Sequence, residues 1–197
     1  QLTGVVVSPK VTEIVYCAFA NCASLESVTL PEGLISIEMA AFENTTSLKS
    51  IELPSTLQYI GTRAFDYSGL TSLTVPGSVE GIGYAAFRNT KIETLTLNEG
   101  IMGIESYAFA NTPLRALSLP ASIDGIGHYA FTNCRDLTTV DLGTGLQYVG
   151  EGAFSGCENL TAVHVTDIDA WCRIVFADAT ANPLAFAGAL YMNGEPV

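Results

Sequence analysis

The chain has 197 residues, 48% of them hydrophobic and 14% charged, a composition that excludes intrinsic disorder and suffices for one domain with a real core. Twenty acidic residues against eight basic ones give a formal charge of −12, which excludes nucleic acid and disfavours anionic membrane surfaces as partners, since both are gripped by Lys and Arg. No apolar run approaches the roughly 18 residues that a membrane-spanning helix needs.

The first element is the strand-like segment LTGVVV at 2–7, and the same pattern returns through the chain. It reads LESVTL at 25–30, LKSIEL at 48–53, LTSLTV at 70–75, IETLTL at 92–97, LRALSL at 114–119, LTTVDL at 137–142 and LTAVHV at 160–165. Each copy alternates apolar and polar side chains with period two, as a half-buried strand does. Pro31, Pro54, Pro76 and Pro120 follow four of them and stop the strand, because proline fixes φ and lacks a donor. An aliphatic pair three apart, such as Leu57 and Ile60, then leads to an Ala-Phe pair.

The phenylalanines set the period. Phe19, Phe42, Phe65, Phe87, Phe109, Phe131 and Phe154 are separated by 23, 23, 22, 22, 22 and 23 residues, and each is preceded by Ala. Strands of three to five residues at this spacing cannot close hairpins, so they stack in parallel, one per 22–23-residue coil. Eight of them make a sheet roughly 34 Å long at about 4.8 Å per strand. One coil cannot bury its own Phe, Leu and Val, so neighbours must cover them and the seven rings form an interior column.

The pattern L-x-x-[VIL]-x-[LV]-P followed by I-x-x-x-A-F-x-[NG]-[TC] resembles the BspA-like subclass of bacterial leucine-rich repeats over residues 2–165. The resemblance implies a right-handed leucine-rich repeat solenoid, α/β to mostly β, carried by proteins exported to the bacterial surface. It implies a non-enzymatic module for protein binding or adhesion to host proteins or other cells, or else a structural spacer without a ligand of its own. A monomeric segment of a longer chain is expected, with no cofactor.

GIGYAAF at 81–87 mimics a dinucleotide-binding loop. In register with it, however, the second glycine position holds Glu38, Gly61, Gly83, Glu105, Gly127 and Gly150. A phosphate loop accepts no carboxylate there and opens a long helix. These glycines are expected to serve a tight turn in each coil. Cys22, Cys134 and Cys157 stand three residues after their Phe, where Thr45, Ser68, Thr90 and Thr112 stand in other coils, which describes a small, weakly polar, buried slot. Cys134 and Cys157 lie in neighbouring coils, so a bridge between them stays open. His128 and His164 are not arranged with a cysteine and a carboxylate, and no catalytic site is expected. Asp167 and Asp169 in TDIDAW lack the spacing of a calcium loop, and two histidines do not support zinc, so no metal is expected. Asn21, Asn44, Asn89, Asn111 and Asn133, two residues after Phe, are read as turn residues whose amides satisfy backbone groups. Asn44-Thr-Thr and Asn159-Leu-Thr fit the glycosylation pattern, which is short and frequent.

In a leucine-rich solenoid the outward strand residues line the concave face. Alternation assigns Thr29, Glu52, Thr74, Thr96, Ser118, Asp141 and His164 to one row, the candidate partner-binding row. Ser27, Ser50, Ser72, Thr94, Ala116, Thr139 and Ala162 run beside it. Both rows are small and mostly polar, without the Trp, Tyr and Arg of hot spots, which favours weak, multivalent binding over a tight pocket. Regular threonines also suggest ice binding, but Glu52, Asp141 and His164 interrupt them.

After residue 165 the pattern dissolves. Residues 166–197 are read as a divergent capping segment, with Trp171, Ile174 and Phe176 covering the last coil of the 1–165 solenoid. Asn193-Gly194 signals a hairpin, but a hairpin needs more partner strand than residues 195–197 offer. The start at Gln1, without a leader, and this short end both suggest a segment of a longer surface protein.

Overall fold

The structure, a computed structural model, describes residues 2–197. The chain winds into a solenoid in which every coil contributes to parallel sheets. The long strands Gly4–Val6, Ser27–Thr29, Ser72–Val75, Thr94–Leu97, Ala116–Ser118, Thr139–Asp141 and Ala162–Val165 lie within the expected segments. Their partners are parallel and offset by one coil, as in Thr74 opposite Thr96 and Asp141 opposite His164. Inward residues such as Val28, Leu73, Leu117 and Val140 are buried, and the alternation of the sequence is the alternation of the pleat. Residues 50–53 occupy the same place in their coil without joining a sheet, so this layer is interrupted there.

Each coil adds a second strand of two residues that the sequence did not reveal. These are Glu13–Ile14, Ser36–Ile37, Tyr59–Ile60, Gly81–Ile82, Gly103–Ile104, Gly125–Ile126, Tyr148–Val149 and Val175–Phe176. They form one unbroken parallel sheet of eight strands. The second residue of each points inward, and Ile37, Ile60, Ile82 and Val149 have no exposed surface.

The third side of the coil is a ladder of turns. Residues two before and two after each Phe adopt left-handed backbone conformations, including Ala40, Ala85, Tyr107 and Tyr129 as well as the asparagines. Alternating these with ordinary conformations sends successive N–H groups in different directions. The Ala20 N–H closes a local turn on the Cys17 carbonyl (3.1 Å), while the Phe42 N–H donates to Ala64 of the next coil (2.7 Å). The ladder thereby satisfies its donors without becoming a strand.

Phe42, Phe65, Phe87, Phe109, Phe131 and Phe154 are fully buried, and neighbouring rings lie 5.1–5.6 Å apart within 13° of parallel. Phe19, expected among the core rings, is only half-buried. It packs on Phe42 but ends the column, so one of its faces lacks a ring neighbour.

Residues 166–197 build a further, modified coil. Asp167 caps the helix Ile168–Arg173, its carboxylate accepting from the Asp169 and Ala170 N–H groups (2.9 and 3.1 Å). Val175–Phe176 extends the short-strand sheet, and Ala189–Met192 pairs in parallel with Ala162–Val165. The Phe154 N–H donates to Thr180, which puts buried Ala181 where the next ring of the column would stand. Trp171, Ile174 and Phe176 are partly buried against the core, together with Leu184, Phe186 and Leu190. The hairpin forms across Asn193 and Gly194, both with positive φ, and contrary to expectation residues 195–197 suffice for it: Glu195 pairs with Met192 and Pro196 with Tyr191.

Candidate functional site

The long-strand face presents the row read from the sequence. Thr29, Glu52, Thr74, Thr96, Ser118 and Asp141 are exposed, and His164 is half-buried. The row is not one uninterrupted platform. Ser118, Asp141 and His164 sit side by side on a continuous sheet, Thr74 pairs with Thr96, and Thr29 is separated from them by the irregular stretch 50–53. The row also runs one coil further than the sequence indicated. Tyr191 follows His164 in register, and its ring stacks on the imidazole at 5.0 Å and 19°. ALYM at 189–192 does carry the strand alternation, but it comes 27 residues after its predecessor, and no proline directly follows it.

Three depressions mark this face. One of about 490 Å³ is bordered by Glu52, Ser72, Thr74, Thr94 and Thr96. A second, of about 660 Å³, is bordered by Thr96, Glu99, Ser118, Asp141 and Thr144. The third, of about 320 Å³, lies between Ser27 and Thr29 on one coil and Ser50 and Glu52 on the next. Among the described residues, carboxylates are the only charged groups bordering them. That of Glu99 is held by the Ala121 and Ser122 N–H groups (2.9 and 3.1 Å), which fixes a negative charge on the rim. The geometry suits a polar, acidic contact surface. It holds no grouping of nucleophile, base and oxyanion donors.

The family model of the BspA-type leucine-rich repeat region, in 6 copies, matches residues 1–112 and 59–181. The chain belongs to this family. Among solved structures it is similar to a leucine-rich cell surface protein from Faecalibacterium prausnitzii, with 25% identity, a TM-score of 0.70, and coverage of 89% of this chain and 56% of that one. It is also similar to a leucine-rich repeat protein from T. pallidum, with 27% identity, a TM-score of 0.56, and coverage of 83% and 72%. A leucine-rich repeat protein from Eubacterium ventriosum, at 18% identity and a TM-score of 0.53, shares the fold. The chain spans just over half the length of the F. prausnitzii protein. No curated protein matches its sequence.

In this BspA-type solenoid the tempting motifs have structural roles. The glycines of the GIGYAAF register do open a tight turn in their coils, as the sequence suggested: the Gly61, Gly83 and Gly150 carbonyls accept from the Ala64, Ala86 and Ala153 N–H groups (3.2, 3.1 and 3.2 Å). Gly83 has an ordinary φ, but a Cβ there would lie 2.5 Å from the Ile60 carbonyl oxygen, so close approach of the preceding coil is what requires glycine. The asparagines bond to one another rather than to turn backbone. Asn44 donates to Asn21 (2.9 Å), Asn111 to Asn89 (2.8 Å) and Asn133 to Asn111 (3.0 Å). Tyr67 breaks this amide ladder, and Asp66 supplies the missing acceptor to Asn89 at 3.1 Å. Asp66 is fully buried and is held by Arg88 (2.6 Å) and Arg63 (3.2 Å), while Arg63 also reaches Glu43 (2.7 Å).

The cysteine slot is buried at Cys134 and Cys157 and half-buried at Cys22, and its thiols are free. Cys134 and Cys157 donate to the Phe109 and Phe131 carbonyls of the preceding coil (both 3.3 Å). Thr45, Thr90 and Thr112 instead donate to the carbonyl of their own Phe. Burial penalises the thiolate, pushing the Cys134 thiol up to about 11 and Cys157 higher still. Both are protonated and unreactive at neutral pH. Among the described residues, no helix is long and apolar enough to cross a membrane.

Proposed function

We propose that the chain is a non-enzymatic protein-binding module of a bacterial cell-surface protein, acting in adhesion through its long-strand face. The observation that carries the proposal is the outward row that runs from coil to coil and ends in the stacked pair His164–Tyr191. Exposed side chains repeating at coil spacing suit an elongated protein partner. Tyr191 supplies the amphipathic aromatic that the rest of the row lacks. In this reading residues 1–165 are the binding solenoid, residues 166–197 are its cap, and the partner contacts are Thr29, Glu52, Thr74, Thr96, Ser118, Asp141 and His164. The surface location draws support from the F. prausnitzii protein described as a leucine-rich cell surface protein.

Immobilised extracellular-matrix proteins and whole host cells, probed with the purified chain, test this. Binding that drops about tenfold in an Asp141→Asn, Tyr191→Ala double variant is expected. The small side chains of Ser118, Thr96 and Thr74 favour a second reading, a spacer that holds other domains apart. Absence of binding to every surface would select it.

A further inference from the structure

The short-strand sheet takes no part in the function proposed above, yet its outer face carries a groove. Tyr59, Gly81, Gly103, Gly125 and Tyr148 stand in register across it, one per coil. Glycine weakens a strand and marks a bulge, a close backbone neighbour or an approaching ligand. The pairing is regular, so there is no bulge. A Cβ on Gly81 or Gly103 would meet only carbonyl oxygens at 3.6 and 3.8 Å, one on Gly125 would meet nothing within 4 Å, and none of the three has a positive φ. Glu13, Ser36 and Val175 occupy the same position elsewhere. The fold therefore does not ask for these glycines.

They floor a groove of about 420 Å³ walled by exposed Tyr59 and Met102. The carboxylates of Glu80 and Asp124 border it on the side before the glycines, and that of Glu105 on the side after them. Among the described residues, no Lys or Arg lines it and none of the three carboxylates takes part in an ion pair. An apolar groove ringed by unpaired negative charge calls for an occupant that is narrow, partly apolar and cationic. Glu80 and Asp124 are two coils apart, about 9.6 Å at the usual strand spacing. A polyproline-II segment brings residue i+3 back to the same side after about 9.3 Å, and its proline rings pack on aromatic walls.

We propose that this groove binds a basic, proline-rich extended segment of another protein. Its backbone lies over the glycine floor, its prolines pack on Tyr59 and Met102, and Lys or Arg residues three apart reach Glu80 and Asp124. The site is separate from the long-strand face, so either proposal can fail alone.

Fluorescence anisotropy of a labelled GKPPKPPKG peptide with the whole chain tests it. Saturable binding is expected, weakening about fivefold or more as salt rises from about 20 to about 200 mM. Gly103→Val is expected to fill the floor and weaken binding about tenfold without lowering the melting temperature. Glu80→Gln with Asp124→Asn should cost a similar factor, whereas Glu158→Gln, an exposed carboxylate outside both proposed surfaces, should cost nothing. The proposal is overturned by no saturable binding, by equal binding of GEPPEPPEG, or by an affinity that Gly103→Val leaves unchanged. It is equally overturned if Gly103→Val unfolds the chain, or if a neutral oligosaccharide occupies the groove while the basic peptide does not.

Discussion

At the scale of single residues, the ring column explains why Ala-Phe recurs. Phe87 lies 5.2 Å from Phe65 and 5.4 Å from Phe109, nearly parallel to both, and has no exposed surface. Its small neighbour Ala86 is also fully buried, leaving room for the ring above and below. Removing the ring opens a cavity that rigid flanking rings cannot fill, a loss of roughly 3–5 kcal/mol. Thr74 is exposed on the long-strand face, and truncating it should change stability by less than about 0.5 kcal/mol. Phe87→Ala is therefore expected to melt on the order of 10 °C below wild type and Thr74→Ala within a degree or two of it, as read by circular dichroism. Equal melting temperatures would mean that the column does not hold the coils together.

At the scale of the element, the turn ladder makes an unusual demand on sequence. Its left-handed positions cost non-glycine residues about 1–2 kcal/mol each, least for asparagine, whose side chain bonds locally. Asn111 has a φ of 60°, donates to Asn89 and accepts from Asn133. Asn111→Ala loses both bonds and keeps the backbone cost, whereas Asn111→Gly loses the bonds but relieves the backbone. The alanine variant should be the less stable in urea unfolding, by about 1 kcal/mol relative to glycine, and the reverse order would show that the left-handed backbone carries no cost there. Asparagine recurrence was visible in the sequence, but its partner was not, because the bonded amide is 22 or 23 residues away. The long strands were legible because alternation over LTSLTV or LTTVDL has a period to read. The short strands were not, since two residues carry no period. The need for glycine at 83 was hidden for a related reason: sequence gives the missing side chain but not the neighbouring carbonyl that forbids one.

At the scale of the whole molecule, stability is nearly one-dimensional: each coil is covered by the next, and the last coil needs something unlike itself. The 22–23-residue rhythm that made the solenoid readable also hid the final coil, where a 27-residue step displaced Tyr191 from view and Ala181 replaced a phenylalanine. We propose that this replacement closes the column. A ring at 181 would extend the column and present its own face, whereas alanine ends it, while Phe154 remains fully buried and Leu184 and Phe186 pack against the core. Deleting residues 166–197 would expose Phe154, Val149 and Val163 and leave the Ala162–Val165 and Tyr148–Val149 edges without partners. Open parallel edges beside an apolar face invite association. The shortened chain is expected to melt well below the full chain, to bind a hydrophobic dye and to form oligomers on size-exclusion chromatography. Trp171→Ala removes one half-buried contact and should lower the melting temperature by a fraction of that amount while leaving the elution position of the full chain unchanged. A shortened chain that stayed monomeric, dark to the dye and equally heat-resistant would show that the solenoid closes without these residues.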